Sequence, residues 1–285
     1  MDIPIWQYLL TMIIYFSVLM IIVEFMRNKY KIANIVWIVS LLTFPLWLKG
    51  GVIGWFRWAK ILSVILPTIF VGFCRIASVE NRKGKWWEFI QKPWVLWFTY
   101  VILFLNIMEA TLKDLALGNY ANCACGFLLC VTIPFAPKYW KYHKEGKGEL
   151  IVYTTMAWNF LYTTWNLCFV YGESKAYFAS SVCILLAAEI YPLIKKRHEL
   201  YIMARVYTLA THMIVRSCFG GLILKVMDSS SWFNETVWQT WGKINLILII
   251  PFVFWHIWQL HTGNAEYTFR SKRVPKKALS ENLNM

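Results

Sequence analysis

Residues Ile5–Phe25 read IWQYLLTMIIYFSVLMIIVEF. A helix of that length rises about 30 Å, which matches the hydrocarbon thickness of a bilayer. The run is too long and too evenly apolar for a secretory signal peptide. It also lacks a basic stretch in front and a small-residue cleavage site behind. It therefore reads as a membrane span, and the same pattern recurs along the chain. Further apolar runs fall at about Ile32–Leu48, Ile61–Ala77, Trp94–Leu112, Ala116–Phe135, Leu150–Tyr171, Ala176–Ile194, Leu200–Met227 and Val237–Leu260.

The expected fold is an all-α, polytopic transmembrane helix bundle of about nine spans. The second span is short and the eighth carries several polar groups, so seven or eight are the alternatives. One transmembrane domain covers 1–261, and residues 262–285 read as a basic, mobile cytoplasmic tail.

Composition agrees. Of 285 residues, 59% are hydrophobic and 15% charged, against about a quarter charged in soluble domains. That excludes a disordered chain, a disulfide scaffold and an ordinary cytosolic enzyme. The net charge of +14 raises nucleic acid as a partner, but the apolar content argues against it. Placing the N-terminus outside puts nineteen of the 29 Lys and Arg on the inner side. These include Arg27, Lys29 and Lys31, then Arg82 to Lys92, Lys138 to Lys147, Lys195 to Arg197 and the tail. Seven fall outside, and Arg75, Arg205 and Arg216 fall within spans. Positive-inside bias then gives the N-terminus out and the C-terminus in, in a plasma membrane.

Ionisable residues within spans are costly and usually face protein or water. They align here. The fourth span carries Asn106, Glu109 and Lys113 on one stripe, and the sixth carries Asn159, Tyr162, Asn166 and Glu173. On the eighth, Arg205, His212 and Arg216 share a narrow sector with His198, Tyr201 and Thr208. The ninth offers Asn245 and His256, with Phe252 and Gln259, and the seventh offers Glu189. These thirteen candidates (Asn106, Glu109, Lys113, Asn159, Tyr162, Asn166, Glu173, Glu189, Arg205, His212, Arg216, Asn245 and His256) predict one shared polar interior with Arg–Glu pairs across it. Asn and Ser on spans also serve as interhelical hydrogen-bond glue, which is the competing reading for each of them. Tryptophans near span ends, among them Trp47, Trp140 and Trp238, read as interfacial anchors. Trp97, Trp158, Trp165 and Trp255 lie deeper, as helix packing or as cavity lining.

No dinucleotide, Walker, zincin or hydrolase motif is present, and no tandem aspartate motif either. Cys123 and Cys125 lack zinc spacing, so neither metal nor cofactor is expected. The segment Trp165–Glu173 (WNLCFVYGE) and the run Glu189-Ile190-Tyr191-Pro192 resemble an uncharacterised family of bacterial multi-spanning membrane proteins. That resemblance implies membrane location and carries no activity. The expected partners are the lipid bilayer and a small-molecule or lipid ligand. Three functions fit: a transporter of a small polar or anionic solute, a membrane enzyme acting on a lipid or isoprenoid with His212 as base, and a ligand-binding sensor.

Overall fold

A computed structural model describes residues 3–144 and 146–261. The basic tail expected from Thr262 onward, and the side chain of Gln259, lie outside the described residues. The helices are α1 (Ile5–Asn28), α2 (Tyr30–Ser40), α3 (Phe44–Lys49), α4 (Trp55–Glu80), α5 (Lys85–Ile90) and α6 (Trp94–Leu117). Then come α7 (Tyr120–Val131), α8 (Ala136–Tyr139), α9 (Met156–Glu173), α10 (Phe178–Lys195), α11 (Tyr201–Met227) and α12 (Glu235–His261). Two strands, β1 (Trp140–Tyr142) and β2 (Leu150–Val152), pair antiparallel between α8 and α9.

The protein is an all-α helical bundle with that one hairpin added. Seven helical segments are long and apolar enough to cross a membrane. Their outward faces carry Ile13, Ile21, Leu42, Leu66, Leu105 and Phe254, all at least half exposed. Water tolerates no such continuous apolar coat on a monomer, whereas lipid does. These features fit a multi-pass integral membrane protein.

Hydrogen bonds at the two ends set the directions. At the hairpin end, Lys31 at the start of α2 meets Glu80 at the end of α4 at 2.6 Å. Lys195 at the end of α10 meets Glu24 of α1 at 2.9 Å. Asn159 of α9 donates to the carbonyl of His198, just before α11, at 3.2 Å. At the far end, Tyr8 of α1 donates to Asp228 O after α11. There too, Gln239 of α12 donates to Gly118 O after α6 at 3.3 Å. Successive passes therefore alternate. Among the described residues, α7 and α9 are shorter than the seven long apolar segments and pack among them.

Two expectations need correction. The span placed at Ala116–Phe135 contains a helix of only 12 residues, Tyr120–Val131. Gly118 (φ +91°) and the Asn119 cap, which accepts the amide of Asn122 at 3.1 Å, delay its start. Pro134, among 132–135, precedes α8 without extending it. The span placed at Leu150–Tyr171 begins instead as β2, and its helix starts six residues later at Met156, capped by Thr155.

The hairpin is bound tightly. Arg75, fully buried near the end of α4, donates to Gly148 O (3.1 Å), Lys147 O (2.9 Å), Met26 O (2.9 Å) and Arg27 O (2.8 Å), and also to Tyr207 OH. It thus satisfies carbonyls that the end of α1 and the hairpin turn leave open. Gly148 is required there, because it has φ +60° and a Cβ would strike Arg75 O.

Buried Glu149 takes Arg27 and Arg197, the latter at 2.9 Å. Burial alone raises a carboxyl, but the hydrogen bond from Arg27 and the charges of Arg197 and Arg27 outweigh it and hold Glu149 below the usual range. A depressed folded value contributes stability above the unfolded value of about 4.3, and that stability is lost as pH falls through the folded one. The expected result is an acid limb in the melting profile below about pH 4. Glu149→Gln should flatten that limb and cost about 3 kcal/mol at neutral pH by stranding the arginines. An unchanged acid limb in the variant would refute this.

Candidate functional site

Helical spacing builds the site. On α11, Arg205, His212 and Arg216 stand seven and eleven residues apart and so share one face. Tyr162, Asn166 and Glu173 do the same on α9, as do Asn106 and Glu109 on α6. The structure brings all eight to one cavity. Lys60, Ser63 and Val64 of α4 close it on the other side.

The cavity lies between two groups of helices. The first group is α1, α2–α3, α4, α10 and α11, and the second is α6, α7, α9 and α12. Packing is dense within each group. Between them, α9 and α10 pack closely, whereas α4 and α6 touch sparsely.

The cavity forks. A polar branch runs toward the far end, lined by Arg216, His212, Glu173, Glu109, Asn166 and Lys60. An apolar branch runs toward the hairpin, lined by Val71, Ile102, Leu103, Ile202 and Val206. Trp140 and Leu150 of the hairpin line its end. Ser63, Val64, Asn106, Tyr162, Arg205 and Leu209 line both branches and mark the junction.

Arg205 defines the electrostatics. It is 7% exposed, and its Nε and Nη1 are buried without a partner. The expected Arg–Glu pairs are not formed. Among the described residues, no carboxylate lies within 4.0 Å of Arg205 or Arg216. The carboxylates find other partners. Glu109 meets Lys60 at 3.4 Å, and Glu173 accepts the Ser174 hydroxyl. Arg216 stacks 3.9 Å over the ring of Tyr177. Buried His212 holds Tyr15 OH at Nδ1, 2.9 Å away, and leaves Nε2 without a partner. The side chain of Asn166, nine-tenths buried, makes no hydrogen bond among the described residues.

The other five candidates lie elsewhere. Lys113 is exposed on the bundle surface. Asn159 ties α9 to the start of α11. Glu189 accepts the Thr163 hydroxyl at 2.8 Å, and Thr163 meets Tyr201 OH at 2.7 Å. His256 stacks on Phe252. Asn245 donates to Asn122 at 2.9 Å and accepts from Thr164 at 2.9 Å, and Asn122 in turn donates to Asp114 at 2.6 Å. That buried chain joins α6, α7, α9 and α12, which is the glue role of amides in helix bundles. The anchors Trp47, Trp140 and Trp238 are buried in the core and are not interfacial. Trp97, Trp158, Trp165 and Trp255 line neither branch; Trp158 stacks on Tyr162, 5.3 Å between centroids.

The contribution of α4 was missed. Its signal was the stripe Lys60, Ser63, Pro67, Val71, which repeats every three to four residues on one face of an otherwise apolar span. Comparison with protein-family models, curated proteins and solved structures finds no match.

Proposed function

We propose that this protein is a membrane transporter that binds an anionic solute in the forked cavity. The hairpin end faces the cytoplasm, as the clustering of Arg27, Lys31, Arg82, Lys195 and Arg197 there supports. The observation that carries the reading is Arg205: a buried guanidinium, facing a cavity from two directions, with no carboxylate to neutralise it. An isolated charge in a low-dielectric interior is costly unless an ion or water meets it. A bound anion meets it with a charge-assisted hydrogen bond. Position supports movement as well as binding. A site between two helix groups that meet loosely along α4 and α6 suits rocking of one group against the other, the common route to alternating access.

The test is uptake of labelled alkanesulfonates, methane- to octanesulfonate, into vesicles reconstituted with the full chain. These anions stay charged and cross bare bilayers poorly. Uptake of some member above protein-free vesicles is expected, with loss in Arg205→Leu. Background uptake for the whole series overturns the transport reading.

A membrane enzyme is the second reading, and one observation favours it. His212 presents an unpartnered Nε2 beside the same cavity, and in the tautomer whose Nδ1–H donates to Tyr15 Oη that nitrogen is free to accept a proton, as a general base must.

A further inference from the structure

The two branches differ in chemistry. In the apolar branch the hydroxyls are already used. Thr68 donates to Val64 O at 2.7 Å, and Thr99 donates to Leu96 O at 3.0 Å and Val95 O at 3.1 Å. Both therefore offer the branch little but their methyl groups. Ser63 at the junction likewise donates to Lys60 O at 2.9 Å. What remains toward the hairpin is a slot of Val71, Ile102, Leu103, Ile202 and Val206, with no free polar side chain beyond the junction among the described residues. The polar branch holds Lys60, Arg205 and Arg216 against Glu109 and Glu173, a formal excess of one positive charge. A phosphate monoester carries about −1.5 to −2 at neutral pH and overshoots that excess. A carboxylate matches it.

The route of entry fits an amphiphile too. Ser63 lines both branches and is exposed, so the cavity reaches the surface along the α4–α6 seam. The surface beside that seam is Leu66 and Leu105, half exposed and apolar, and so faces lipid.

We propose that the ligand is a single-chain amphiphile with a singly charged carboxylate head, taken from the bilayer through the α4–α6 seam, its head on Arg205 and its chain in the apolar branch toward Trp140 and Leu150. This rests on the anion-binding part of the reading above and names its ligand class.

The experiment is binding of acetate, butanoate, hexanoate and octanoate to the purified full chain at pH 8, followed by calorimetry, with octylamine and octyl phosphate as controls. The expected result is affinity rising toward fourfold per methylene, the factor for about 0.8 kcal/mol per buried CH₂. Octylamine should not bind, and octyl phosphate should bind more weakly than octanoate. Val71→Phe should flatten the chain-length dependence while leaving acetate unaffected. If that variant melts early, Ile102→Phe fills the same branch from α6. Equal affinity for acetate and octanoate overturns the amphiphile and leaves the anion site standing. Octylamine binding as well as octanoate overturns the assignment of the head to Arg205. Octyl phosphate binding more tightly overturns the charge match. No binding by any carboxylate overturns the anion site together with the amphiphile.

Discussion

Arg75→Leu is expected to lower the melting temperature of the purified protein on the order of 10 °C. The size follows from the bonds. Arg75 donates to four backbone carbonyls and to Tyr207, all at a fully buried site. Removing it strands those acceptors, and breaking a buried charged network costs about 3–5 kcal/mol. In a chain of this size each kcal/mol shifts melting by roughly 2–4 °C. Arg75→Lys should recover little, because one ammonium has three donors and cannot reproduce the planar fork that reaches both the end of α1 and the turn at Lys147–Gly148. Released from its anchor, the turn around residue 146 should also be cut faster by protease. A variant melting within about 2 °C of wild type would show that the carbonyls find water instead.

Most of the architecture was legible from apolar runs, because lipid imposes length and hydrophobicity on any helix that faces it. The first helix, Ile5–Asn28, and α11, Tyr201–Met227, lie within three residues of the expected bounds, whereas α4 begins at Trp55, six residues before the expected Ile61, and the second span divides into α2 and α3. The reading failed between residues 116 and 155. There the hairpin strands are buried against protein rather than lipid, and tertiary contacts decide their conformation. Trp140, Leu150 and Val152 look like helix or interface residues by composition, yet they pack into the core as a hairpin that Arg75 holds. No local pattern announces an arginine 73 residues away from the carbonyl it caps.

The cavity was half legible, for a related reason. Periodicity placed Arg205, His212 and Arg216 on one face correctly, because helix geometry is local. It could not say which neighbour that face meets. Asn245 and Asn166 carry the same side chain in similar apolar settings. One is spent on Asn122 and Thr164, while the other lines the cavity without a partner. The missed wall, α4, contributes mainly apolar atoms, so a search for polar stripes passed over it.

Arg205→Leu is expected to do the reverse of Arg75→Leu. The fold should keep its melting temperature or gain from the change, while octanoate affinity falls at least about thirtyfold. Both arginines are buried on the same bundle, and their partners separate them. Arg75 makes five hydrogen bonds; Arg205 leaves Nε and Nη1 with none. A cation without compensation contributes desolvation cost and no bond, so an isosteric apolar side chain is neutral or stabilising by roughly 1–3 kcal/mol. Stability given up in the empty state is characteristic of a binding group, because the ligand supplies the missing partner. When the ligand's charge is present and the arginine absent, the loss is about 2 kcal/mol or more, which is the thirtyfold figure. Arg205→Lys should retain part of the binding, since the charge survives while the fork does not. The pair of variants therefore decides between scaffold and site in a single measurement series. A large drop in melting temperature for Arg205→Leu, matching that of Arg75→Leu, would make Arg205 a structural arginine and remove the anion from the cavity.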